Sequence, residues 1–134
     1  TFTRARFMSD FESGFDQWGS VSRGDALPYV PEHQGALRLG AETRSWGVGS
    51  VVGGTGSMRD VAGSGPIAEG YEIPGHLTWD LNGFWKPSKI DKLYFTVDNV
   101  LGQAYMVSRR PLGIRPGKPF HFMVGYKHDF KTVR

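Results

Sequence analysis

Four histidines, His33, His76, His121 and His128, are the side chains best suited to bind a metal or pass a proton at neutral pH. No two of them stand in HxH or HExxH spacing, and His121 and His128 flank one predicted strand, too far apart along it to share an ion. Carboxylates gather in two places, Asp10, Glu12 and Asp16 early on and Glu69 with Glu72 later. Glycoside hydrolysis needs two carboxyl groups about 5–9 Å apart across a cleft, and neither group carries a supporting motif. The run GGTGS at 53–57 lacks the Lys–Ser/Thr pair of a phosphate-binding loop, and no GxSxG elbow presents a nucleophilic serine. There is no cysteine, which excludes thiol catalysis, disulfides and zinc ribbons. A non-catalytic protein is expected.

Aromatic side chains out of phase with their apolar neighbours are the better lead to function. Trp85 sits between Phe84 and Lys86–Pro87 at a strand end, Tyr94 opposes the Leu93, Phe95, Val97 phase, and Tyr105 follows Gln103–Ala104. Flat, partly exposed rings stack on sugar faces and anchor protein interfaces. Trp85, Tyr94 and Tyr105 are therefore the candidate ligand-binding residues, for a glycan or a protein partner. Trp46 and Trp79 fall in phase with aliphatic residues and are assigned to the core, as are the Phe residues near the C-terminus.

The elements that must position these residues are strands. No stretch keeps apolar residues at helical spacing without a Gly or Pro intruding. Alternation recurs instead, over 35–41, 45–52, 76–82, 93–98 and 120–126, and a period of two marks a strand with two unlike faces. Weaker candidates at 2–11, 18–21, 67–73 and 104–109 bring the number to eight or nine. Pro111, Pro116 and Pro119 make 109–119 an extended connection that cannot be a central strand. The segment 53–66 is the long irregular one. The expected fold is all-β, an antiparallel β-sandwich of jelly-roll type with no substantial helix, forming one domain over 1–134.

Charge is unevenly spread. Residues 1–85 carry a net −4 and residues 86–134 a net +7. Opposite halves of this kind steer association, head to tail or with an anionic polymer. No apolar run approaches the ~20 residues of a membrane helix, so no membrane span is expected. Thr1–Phe11 shows no signal-peptide core. Nucleic-acid motifs are absent, and nucleic acid is not an expected partner.

Asp10-Phe11-Glu12-Ser13-Gly14 with Gln17-Trp18-Gly19, then Gln34-Gly35-Ala36-Leu37-Arg38-Leu39, resembles the opening of jelly-roll carbohydrate-binding modules of the galactose-binding-like type. Leu93-Tyr94-Phe95-Thr96-Val97-Asp98-Asn99-Val100 is similar to their closing strand, and also to a strand of concanavalin A-like sandwiches. In the first family that strand ends the domain, whereas here about a quarter of the chain lies beyond it. The resemblance implies a structural calcium held by Glu12 and Asp98, the only cofactor expected; calcium takes six to eight oxygen ligands.

Two functional readings arise from these expectations. One is a structural subunit of a larger assembly, such as a virus-particle decoration, spike or tail component, meeting protein partners through Thr1–Arg6, Lys131–Arg134 and the basic C-terminal half. The alternative is a free-standing carbohydrate-binding module.

Overall fold

The computed structural model describes residues 1–16, 18–110 and 112–130. Among these the chain is all-β, antiparallel and free of helix, consistent with the sandwich-like class read from the alternation. Five strands are long: β3 (Gln34–Glu42), β4 (Trp46–Thr55), β7 (His76–Trp85), β8 (Asp91–Asp98) and β11 (His121–His128). Six are short: β1 (Phe11–Glu12), β2 (Ser20–Val21), β5 (Met58–Arg59), β6 (Glu72–Ile73), β9 (Met106–Ser108) and β10 (Arg115–Pro116). That makes eleven strands where the alternation predicts eight or nine. The additional ones, β5 and β10, are two residues long, too short to show a period.

The described residues group into two compact units, those within 1–35, 54–76 and 104–117, and those within 36–53, 77–103 and 118–130. The second unit is built on the five long strands, in the order β11-β8-β7-β4-β3. Strands taken in chain order give a meander, so β3 and β11 are its edges. Register fixes the faces. Leu93 lies between Trp85 and Tyr126, Phe95 between Gly83 and Val124, and Val97 between Leu81 and Phe122. One residue along, Tyr94 lies between Phe84 and Gly125, and Thr96 between Asn82 and Met123. Gly47 and Gly49 lie against Phe84 and Asn82, which leaves Trp46 and Val48 on the Leu93 side. The apolar phases named in the sequence therefore fall on one side of the sheet.

Asn99 follows β8 and anchors the connection beyond it. It is buried, with φ of 49°, a left-handed conformation that Asn tolerates better than most residues. Its Nδ2 donates to the carbonyls of Gln103 and Lys118, both at 2.9 Å, and its Oδ1 accepts from the Gln103 N–H. Its own N–H donates to Asp80 Oδ1 at 2.8 Å. One side chain thus joins the end of β8 to the residues leading into β11.

The first unit is three hairpins, β1–β2, β5–β6 and β9–β10, laced by single bridges of Phe2 with His33, Arg6 with Ala26 and Ala26 with Gly63. Thr1–Arg6, expected to meet a partner, runs along this same unit, with the Thr1 amino group donating to Gln34 O at 2.6 Å. The other terminal expectation, at Lys131–Arg134, lies outside the described residues. Val21 and Ile73, in this first unit, are the only buried hydrophobic side chains among the described residues. Trp46 and Phe122, assigned to the core by their phase, are 44% and 58% exposed.

Replacing Asn99 by Ala should cost about 2–4 kcal/mol, because two carbonyls lose a donor and the left-handed backbone becomes strained. Asn99→Gly should recover the backbone part only. The midpoint of urea unfolding measures both, and an Asn99→Ala variant as stable as the parent would refute this role.

Candidate functional site

The first feature is the apolar face of the five-stranded sheet. Leu37, Leu39, Val48, Leu77, Val124 and Phe122 all stand open on it. At one end of this face the rings line up. Trp46 begins β4, Trp85 ends β7, and Tyr126 lies across Leu93 from Trp85. The Lys86 N–H donates to Ser45 O at 2.6 Å, which brings Trp46 alongside Trp85. Further along, Trp79 Nε1 donates to Ser50 Oγ at 2.8 Å, so that indole has its polar partner within the face.

The opposite face is polar and thinned by glycine. A Cβ on Gly47 would lie 2.5 Å from the Phe84 ring, and one on Gly125 would lie 2.1 Å from the Tyr94 ring. Both rings therefore lie flat over a neighbouring strand's backbone, which only glycine permits. Arg38, Glu42, Asn82, Thr96 and His121 share this face with them. Asp98 binds Lys118 Nζ and lies 3.3 Å from His121 Nδ1.

The connections between the long strands differ sharply in length. β3 joins β4 through residues 43–45 and β7 joins β8 through 86–90. β4 joins β7 through 56–75, and β8 joins β11 through 99–120. Short and long alternate, so in an antiparallel meander all short turns close one end of the strands and all long connections leave the other. The aromatic row of Trp46, Trp85 and Tyr126 is at the short-turn end.

A polar cluster ties the first unit together. Tyr29, with φ of 60°, donates its hydroxyl to Asp60, which is only 3% exposed. Arg110 Nε lies 3.4 Å from Asp60 Oδ2, and Arg110 Nη1 is 3.5 Å from Asp16 Oδ2. Arg109 donates to Glu72 O at 3.3 Å. The three chain segments of the unit each supply a member. Burial, reinforced by the hydrogen bond to Asp60, pushes the Tyr29 phenol up from 10.0 to about 12. Beside this cluster lies a cavity of about 360 Å³ whose lining includes Arg6, Leu27, Glu32, His33, Arg59 and Pro66. Arg6 and Arg59 each donate to a backbone carbonyl, of Gly24 at 2.5 Å and of Gly65 at 2.8 Å.

The residues singled out by sequence fall in separate places. Trp85 and Tyr94 project from opposite faces of one sheet. Tyr105 belongs to the first unit and stacks on His76, with ring centroids 4.2 Å apart. Glu12 is exposed on β1 in the first unit, whereas Asp98 is in the second and engaged by Lys118 and His121. No group of three or more His, Asp or Glu side chains that could hold a metal occurs among the described residues. Sequence reasoning missed the open state of the apolar face and the alternation of connection lengths, although the second is written in the spacing of the strands.

Because the folded protein holds the Tyr29 proton more tightly than the unfolded chain, the Tyr29–Asp60 contribution is present in full below pH 10. It is lost as pH rises through about 12. Absorbance at 295 nm should show one phenol ionising near pH 12, absent in Tyr29→Phe. A titration unchanged by that substitution would contradict the assignment.

No family model and no curated protein matches this sequence. Solved structures do. The ferric-catecholate import receptor Fiu from E. coli K12, in its closed form, is 24% identical with a TM-score of 0.64, covering 78% of this chain and 15% of that one. Its open form gives 25% identity and a TM-score of 0.63, covering 78% of this chain and 16% of that one. The chain thus spans less than a fifth of the receptor's length, and the likeness is one of fold.

Proposed function

We propose that this chain is a stretch of the wall of a transmembrane β-barrel, five consecutive strands with their connections, in an import receptor for ferric complexes of the catecholate kind. The observation that carries the reading is the open apolar face. A sheet that buried this face against protein would hide Leu37, Leu39, Trp46 and Phe122; here lipid is the cover they suit. Strand length supports the same reading. β3, β4 and β7 have nine or ten residues and β8 and β11 eight, against the 9–11 a tilted strand needs to cross a bilayer.

No helix among the described residues is long and apolar enough to cross a membrane, and the expectation of no membrane span rests on that criterion. Strands cross by closing into a barrel, where each backbone group finds its partner on the next strand. Short turns on one side and long connections on the other belong to such barrels, as do rings gathered where the apolar band ends. Trp46, Trp85 and Tyr126 form that girdle. The long connections then face the outside, and the cavity beside Arg6 and Arg59 suits an anionic ligand. The import of a ferric catecholate comes to this chain from the likeness to Fiu.

The assembly reading draws on the termini and the basic C-terminal half, and the glycan-module reading on the exposed rings of Trp85 and Tyr94. Those rings point to opposite faces, so no one sugar stacks on both, and neither reading accounts for the alternating connections.

Arginine substitutions at neighbouring positions test the proposal. In the full protein folded into phosphatidylcholine vesicles, Phe95→Arg should cost about 2–4 kcal/mol, the penalty of a cation in the lipid-facing midplane. Thr96→Arg, one residue on and facing inward, should cost far less. Equal costs at the two positions would overturn the membrane assignment.

A further inference from the structure

The lysines at the short-turn end of the polar face are not explained by a barrel wall. Lys86 Nζ and Lys92 Nζ stand 5.0 and 4.4 Å from the centroid of the same Phe84 ring. Lys127 lies directly across from Lys92 in the ladder, and Lys89 is in the turn between β7 and β8. All four line a cavity of about 320 Å³, together with Ile90, Asp91 and Asp129. Small-ligand pockets begin at about this volume.

Charge in this cavity is unbalanced. Asp129 pairs with Lys127 at 2.9 Å, and Asp91 is taken up by Ser88, Tyr126 and His128. Among the described residues no ion pair forms at Lys86, Lys89 or Lys92. One aromatic ring therefore gathers two ammonium groups that repel each other, and among the described residues no carboxylate pairs with either. Lys92 and Lys127, directly opposite in the ladder, also repel each other, and Asp129 offsets only the Lys127 side of that pair. A compact anion with two or more negative charges would offset both.

We propose that Lys86, Lys89, Lys92 and Lys127 form a binding site for a phosphate-type polyanion at the short-turn end of the polar face. Lysine serves such groups as a point charge, and Phe84 sets the spacing of two of the four. The face decides between sources of phosphate. Lys92 and Lys127 share the side of Tyr94 and Gly125, opposite the apolar row, so the ligand is a soluble anion and not a lipid headgroup. The anion site rests on local geometry alone; the choice of a soluble anion over a lipid headgroup rests on the barrel reading.

Calorimetric titration of the full protein in detergent with inorganic pyrophosphate tests it. Binding should weaken at least tenfold in the double variant Lys86→Gln with Lys92→Gln, and should weaken as salt is raised. Arg38→Gln, on the same face but outside the cavity, should leave it unchanged. Phe84→Leu, which keeps an apolar side chain but removes the ring, should also weaken it while the far-ultraviolet strand signal persists. Absence of pyrophosphate binding, or binding equal in parent and double variant, would overturn the proposal. So would lysine-dependent capture by phosphatidylglycerol vesicles that pyrophosphate does not compete away, since that outcome puts the lysines on the headgroup side. Failure of the Phe95→Arg contrast leaves this titration unaffected, so the two tests fail separately.

Discussion

A β-sheet satisfies its backbone sideways, through neighbouring strands, and hides its apolar side chains above or below, through a second layer. Among the described residues, the five-stranded sheet of this protein has no second layer in the unit that contains it, and its edges are the long strands β3 and β11. β3 is exposed along its whole length. A sheet in this condition is soluble only with difficulty, because open apolar edges and faces invite aggregation. In the proposed barrel a bilayer would remove the difficulty, with lipid covering the apolar face and further strands covering the edges.

The same constraint explains the composition of the other face. In a barrel the inner face is polar and shaped by what it must enclose. The polar face of this sheet, which the proposed barrel would turn inward, is built from Arg38, Glu42, Asn82, Thr96 and Asp98, with Phe84 and Tyr94 laid flat over glycine backbones. Flat rings keep that face low and smooth. The first unit obeys a different logic. Its buried hydrophobic residues, Val21 and Ile73, are too few to order three chain segments alone. The Tyr29–Asp60–Arg110–Asp16 cluster supplies the remaining order. Removing one partner would leave a charge on the buried Asp60 uncompensated, which is far costlier than a surface pair lost.

Much of this fold is legible in the sequence. All five long strands are marked by period-two patterning, and the structure extends each by only a few residues: 76–82 becomes β7, ending at Trp85. What alternation does not reveal is which solvent each face meets. Trp46 and Phe122 sit in the apolar phase, which by itself suggests a protein core; both are open. Membrane strands give a weak signal per segment for this reason, and the search for ~20 apolar residues looks only for helices. The shortest strands are beyond reach, since two residues have no period. The lysine cluster is too, because Lys92 and Lys127 are neighbours only through the β8–β11 register. The net +7 of residues 86–134 points toward it without locating it.

The absence of cysteine from these 134 residues suits them to site-directed labelling, with any cysteine elsewhere in the full protein replaced by serine. Single cysteines placed in turn at 92–97 of β8 and 121–126 of β11 can each carry a nitroxide spin label in the full protein reconstituted into vesicles. Electron paramagnetic resonance then reports whether each label meets oxygen, which concentrates in lipid, or a water-soluble nickel chelate. The account predicts alternation with a period of two: 93, 95, 97, 122, 124 and 126 oxygen-accessible, and 92, 94, 96, 121, 123 and 125 not. Labels at the first set that meet the nickel chelate and not oxygen would show the apolar face to be turned away from lipid, and the barrel-wall reading would fall.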